Sequence, residues 1–246
     1  MTAVTVPDLW REVAYRRADT ITSRHWARGK SMKGFTAEDP WTRRRRGMLA
    51  EVGLAIFLGH VELWNPDLNA FHPAPDVFPN WEVRSGPFFA QGEGDRGKPD
   101  DPLAHIVSVD VVGTDVNIRG WAPVSLFRDE GLFVERTEDW DQDHWTLDPM
   151  WRKYPDEARE LSDAWWATIP EEEGGAVWDR RTCREGFWSH VLATPVQEQK
   201  WADRIVAKKR KPVKFRDQAV TWAEDVKDGR DFPTREALMD AIMAVA

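Results

Sequence analysis

Cysteine is nearly absent: Cys183 is the one cysteine in 246 residues. No internal disulfide or Cys-based zinc site can form, and the composition fits a reducing compartment. No apolar run has the length of a membrane span, and the opening MTAVTVPDLWREV lacks the basic-then-apolar plan of a secretory signal. The expectation is a cytoplasmic protein without a membrane partner. Ready-made catalytic motifs are also missing: there is no HExxH, Cys-x-x-Cys, Gly-x-Ser-x-Gly or kinase set. Gly29-Lys30-Ser31 has Arg24 where a P-loop needs its leading glycine. Gly92-x-Gly94-x-x-Gly97 runs into Lys98-Pro99-Asp100-Asp101-Pro102 instead of a helix, so it reads as a flexible loop and not as a dinucleotide site. The six histidines show no metal-ligand spacing, and His72 reads first as a structural hydrogen-bonder. An excess of positive charge is lacking as well. The net charge of −8 gives no general attraction for nucleic acid.

What is present fits a globular domain: 41% hydrophobic and 31% charged residues, in a chain long enough for a full core. Fifteen Trp stand against two Tyr; most are expected to fill cores and interfaces, with stacking on nucleobases open to a few. Charge is unevenly placed. Arg43, Arg44, Arg45 and Arg46 form an unbroken run, and Lys208 to Arg216 holds six basic residues in nine positions. Such local patches can dock a nucleic-acid backbone on a globally acidic protein. A solvated face is the competing reading for both, and the favoured one for the acidic stretch from Glu135 to Glu173.

Helices are expected over residues 8–30, with Asp8 as N-cap and a stripe through Leu9, Val13 and Arg16 or Arg17, and from Pro40 to about Leu58, with Asp39 as N-cap and Gly59 as the stop. Residues 61–79 read as loop. Trp81 to Ser85 reads as a strand; His105 to Val112 and Val116 to Trp121 read as two more, turning at Gly113-Thr114, the first of them central. Residues 129–155 resist assignment. Beyond them the chain reads as helices over Asp156 to Thr168 and Glu198 to Lys208. Two further helices carry stripes Ala219, Trp222, Ala223, Val226 and Leu238, Ala241, Ile242, Val245.

The chemistry available lies in carboxylates. Between Gly47 and Gly59 the residue that is neither apolar nor Gly is Glu51, and a carboxylate on such a helix calls for a partner or a cation. Asp76 follows Pro75, and Glu82-Val83-Arg84 comes six positions on. A strand puts Glu82 and Arg84 on one face. Hard oxygen ligands of this kind suit Mg²⁺ in phosphoryl-transfer sites.

The ordered set Gly47-Met48-Leu49-Ala50-Glu51, Asp76, Glu82-Val83-Arg84, Asp100-Asp101, the strand from His105 to Val112 and Gly120-Trp121 resembles the PD-(D/E)XK nuclease superfamily, most closely its small phage-encoded members. The resemblance covers residues 40 to 125. It implies an α/β (α+β) fold with a restriction-endonuclease-like core, a mixed sheet flanked by helices, over residues 1–155. Residues 156–246 would then be a helical C-terminal extension. It also implies a Mg²⁺- or Mn²⁺-dependent nuclease acting on nucleic acid, DNA before RNA, in the host cytoplasm if phage-encoded. Asp76 and Glu82 would ligate the ion with the Val83 carbonyl, Glu51 would hold it directly or through water, and Arg84 would contact the scissile phosphate. Arg84 departs from the usual lysine: guanidinium stays charged and is a poor proton acceptor, so a metal or carboxylate must activate the water. Phosphate contacts fall to Arg43, Arg44, Arg45, Arg46, Lys208, Lys209, Arg210 and Lys211. A nuclease scaffold that has lost turnover and binds nucleic acid or a host protein is the alternative. A weaker one is an oligomer assembled through the Trp-rich and C-terminal regions.

Overall fold

The computed structural model describes residues 1–28, 39–65, 75–85, 88–94, 101–135, 142–171, 180–208 and 215–244. His72, Gly97, Asp100, Lys209, Arg210, Lys211 and Val245 lie outside them. The strands are β1 (Thr2–Thr5), β2 (Trp81–Ser85), β3 (Phe89–Gly94), β4 (His105–Val112), β5 (Asp115–Pro123), β6 (Leu132–Val134) and β7 (Gln142–Thr146). The helices are α1 (Asp8–Ala27), α2 (Pro40–Phe57), α3 (Val124–Glu130), α4 (Pro155–Thr168), α5 (Arg180–Leu192), α6 (Thr194–Ala207), α7 (Arg216–Lys227) and α8 (Arg235–Met243). The fold is mixed α/β, as the sequence suggests.

The chain divides into two compact units. One comprises the described residues of Met1–Val6, Leu49–Asn65 and Phe71–Phe187; the other comprises those of Pro7–Met48 and Trp188–Ala246. The expected cut after residue 155 therefore runs through the first unit, and α2 changes units between Met48 and Leu49.

In the first unit a four-stranded sheet has the order β1-β5-β4-β2. β4 and β5 form the expected hairpin, with Gly113 at φ 63 in its turn. β4 is central, lying between β5 and β2, which runs parallel to it. The chain between β2 and β4 contains β3, which joins a second sheet of order β3-β7-β6. Gly92 to Gly94 are thus strand, where a loop is expected from their glycines. Phe88, Ala90, Ile106, Ala122, Phe127 and Leu147 share one core, which is why the short α3 forms here. The second half of α2 approaches β5 at Gly53, where a Cβ would lie 2.6 Å from Val116 Cγ2. The start of α2 follows expectation: Asp39 Oδ2 accepts from the Thr42 amide at 3.0 Å and its hydroxyl at 2.9 Å. Gly59, at φ 82, ends it.

In the second unit α6, α7 and α8 pack on α1. Trp26, Trp41, Trp201, Ile205 and Trp222 build a core there, with Val226 beside it. The expected narrow stripe of α1 is corrected: burial extends almost around the helix and includes Arg16, Arg17, Asp19 and Arg24. Asp8 is not the cap; Pro7 occupies that position, and Asp8 bridges Arg11 within the first turn.

Candidate functional site

β2 is a terminal strand of its sheet, so alternate backbone groups along it face away from β4 and need partners. Trp81 exchanges backbone bonds with Val77, at 2.8 Å and 3.0 Å. Two residues on, the Val83 amide donates to Asp76 Oδ2 at 2.8 Å. Asp76 therefore sits on the outer edge of the Glu82-Val83-Arg84 strand, and the Val83 carbonyl faces that same edge because a residue's N–H and C=O point the same way in a strand.

The loop carrying Asp76 is tied to α2 through a short helical turn. The Asn65 amide donates to the Asp76 carbonyl at 2.9 Å and the Phe78 amide to that of Leu63 at 2.8 Å, while Trp64 pairs with Val77. Trp64 Nε1 then donates to Glu51 Oε2 at 3.2 Å. Glu51 is half-buried, and Trp64 gives it a partner of the kind its apolar helix requires. One run of bonds thus joins α2, the Asp76 loop and β2.

Glu82 and Arg84 share a face of β2 as expected. Arg84 Nη1 stands 3.4 Å from Glu82 Oε2 and 3.5 Å from the Val83 carbonyl, and the guanidinium lies 5.3 Å above the Phe89 ring. Both side chains are half-buried. Arg84, Ser108 and Gly120 occupy one row across β2, β4 and β5. The Gly120-Trp121 pair has a structural reason. Gly120 has φ 144, and a Cβ on it would lie 2.6 Å from the Lys153 carbonyl. Trp121 Nε1 reaches the Tyr154 carbonyl at 3.2 Å. Asp101 closes a turn by accepting from the Leu103 amide at 2.8 Å.

Two carboxylates and a carbonyl at the β2 edge have the chemistry a hard divalent cation prefers. Among the described residues, however, no group of three or more His, Cys, Asp or Glu side chains converges closely enough to hold a metal ion. Glu51 is held by Trp64, and Asp76 by the Val83 amide.

The basic residues fare differently. Arg45 grips Asp19 with two bonds of 2.7 Å and lies 5.6 Å over the Tyr15 ring, so it serves the second unit's interior. Ion pairing with Asp19 pushes the Arg45 guanidinium further up. Arg43 is exposed, and Arg44 and Arg46 are half-buried. Lys208 Nζ donates to the Ala27 carbonyl and lies 5.7 Å over Trp26. Most tryptophans are core, Trp10, Trp64 and Trp81 among them. No described helix is long and apolar enough to cross a membrane.

Sequence reasoning missed His105, whose ring packs tilted against Trp81 at 4.8 Å and edge-on to Trp121 at 5.0 Å. Burial holds its pKa below the ordinary value, with nearby Lys153 adding to the effect. Its place at the head of an apolar strand was the available signal. Compared with known proteins, the chain matches no family model, no curated protein and no solved structure.

Proposed function

We propose that the β2 edge is the active site of a metal-dependent nuclease on a restriction-endonuclease-like core, acting on nucleic acid and on DNA before RNA. The observation that carries this reading is the Asp76 carboxylate seated on the Val83 amide, beside the strand that bears Glu82 and Arg84. Asp76, Glu82 and the Val83 carbonyl would hold Mg²⁺ or Mn²⁺. When bound, such an ion lowers the pKa of a water and offsets phosphate charge. The residues of the chain do the rest. Arg84 holds the scissile phosphate and stabilises developing negative charge, since guanidinium keeps its proton. Glu51 fixes the Asp76 loop through Trp64.

The second reading, a binding protein on the same scaffold without turnover, is favoured by one observation: the three acids do not close on a common point. Incubating the protein with supercoiled, linear and single-stranded DNA and with RNA, in Mg²⁺, Mn²⁺ and EDTA arms, separates the two. Nuclease action predicts cleavage that EDTA stops and that Glu82→Ala reduces at least about a hundredfold. Binding without cleavage in every metal arm supports the second reading and overturns the first.

A further inference from the structure

Arg152 follows the short helical turn Pro149–Trp151 and lies across Gly120 of β5. A Cβ on Gly120 would stand 3.0 Å from Arg152 Cβ, so the glycine makes room for this side chain. The guanidinium rests 4.7 Å above the Phe88 ring. Among the described residues it meets no carboxylate, and its Nε is buried without a hydrogen-bond partner. A guanidinium presents five donors and keeps its charge, so a buried Nε without an acceptor costs stability. The neighbouring charge makes matters worse: Arg119, paired with Asp110, repels it. Burial first and that repulsion second hold its pKa below the ordinary arginine value.

The position is informative. Gly120 shares its row with Ser108 and Arg84. Phe88 and Phe89, adjacent in sequence, carry the Arg152 and Arg84 guanidiniums respectively. One row of the sheet therefore has an arginine at each end. Two strand spacings of about 4.8 Å separate the backbone positions at the ends, a span that a nucleic-acid strand with a phosphate on every nucleotide covers.

We infer that Arg152 is a second phosphate contact, taking a backbone phosphate of the same nucleic-acid strand that Arg84 contacts. This rests on the nuclease reading of the β2 edge and adds to it a residue outside the resembling motifs. The Arg152 guanidinium meets no carboxylate among the described residues, and an incoming phosphate supplies the counter-charge.

The test is equilibrium binding of labelled single-stranded and duplex oligonucleotides in EDTA, over a salt series, so that cleavage plays no part. Arg152→Ala is expected to weaken binding roughly tenfold and to lower the slope of log affinity against log salt by about one. Arg152→Lys should recover the slope and only part of the affinity, with unchanged melting temperature as the folding control. Unchanged affinity and slope in Arg152→Ala, with wild-type binding intact, overturns the inference and leaves the nuclease reading standing. Normal Arg152 dependence without metal-dependent cleavage does the reverse. Inorganic phosphate and a nucleoside monophosphate serve as competitors. Displacement by either at concentrations comparable to the oligonucleotide assigns the contact to a free anion and overturns the strand assignment.

Discussion

Arg16 and Glu198 are 5% and 3% exposed and meet through bonds of 3.0 Å and 3.2 Å from Nε and 2.5 Å from Nη2. Removing one member of such a pair strands a charge away from water. Glu198→Ala is expected to cost about 3–5 kcal/mol, read as a lower urea midpoint at unchanged slope, whereas Arg16→Met with Glu198→Leu should lose much less. His105 offers a pH readout. Its folded pKa is lowered, so the native state favours the neutral ring. That stability is complete above the unfolded value of about 6.5 and declines as pH falls through it, because the unfolded chain takes up the proton first. The melting temperature should fall from neutral to mildly acidic pH by an increment that His105→Asn lacks. Neither the Arg16–Glu198 pair nor the burial of His105 was legible in the sequence. Arg16 could be placed on the stripe of α1, but its partner is 182 positions away, and periodicity carries no information about who faces whom.

At the scale of elements, long patterned segments were readable and short ones were not. α2, β2, β4, β5 and α7 follow from periodicity, caps and turn residues. β1 has four residues and α3 seven, too few to show a period, and both depend on neighbours for their form. β3 is held by β7 despite its glycines. The Arg43–Arg46 run looked like one device, yet the helix turns Arg45 toward Asp19, a distinction that a charge count does not make. Packing of α2 on β5 gives a direct test. In Gly53→Ala the new methyl meets Val116 Cγ2 at 2.6 Å, and the pair must move apart. A loss of about 1–3 kcal/mol is expected by denaturant unfolding, with recovery when Val116→Ala is added.

For the whole molecule, the sequence placed Glu51 on a helix and Glu82 on a strand, where they lie, but put the boundary after residue 155, inside the first unit. The two units interleave along the chain, because α1 and the first half of α2 group with the C-terminal helices while α4 groups with the sheets. The N-terminal helix and those C-terminal helices bury their apolar faces against one another, and composition alone does not show that pairing. The β2 edge lies wholly within the first unit, with Asp76, Val83 and Glu82 as proposed donors to a cation. Calorimetric titration of the purified protein with Mn²⁺, beside Asp76→Asn and Glu82→Gln, examines that assignment without requiring a substrate. Saturable binding in the wild type, weakened at least about tenfold in either variant, is the predicted result. Binding that both variants leave unchanged, or no saturable binding at all, would contradict it.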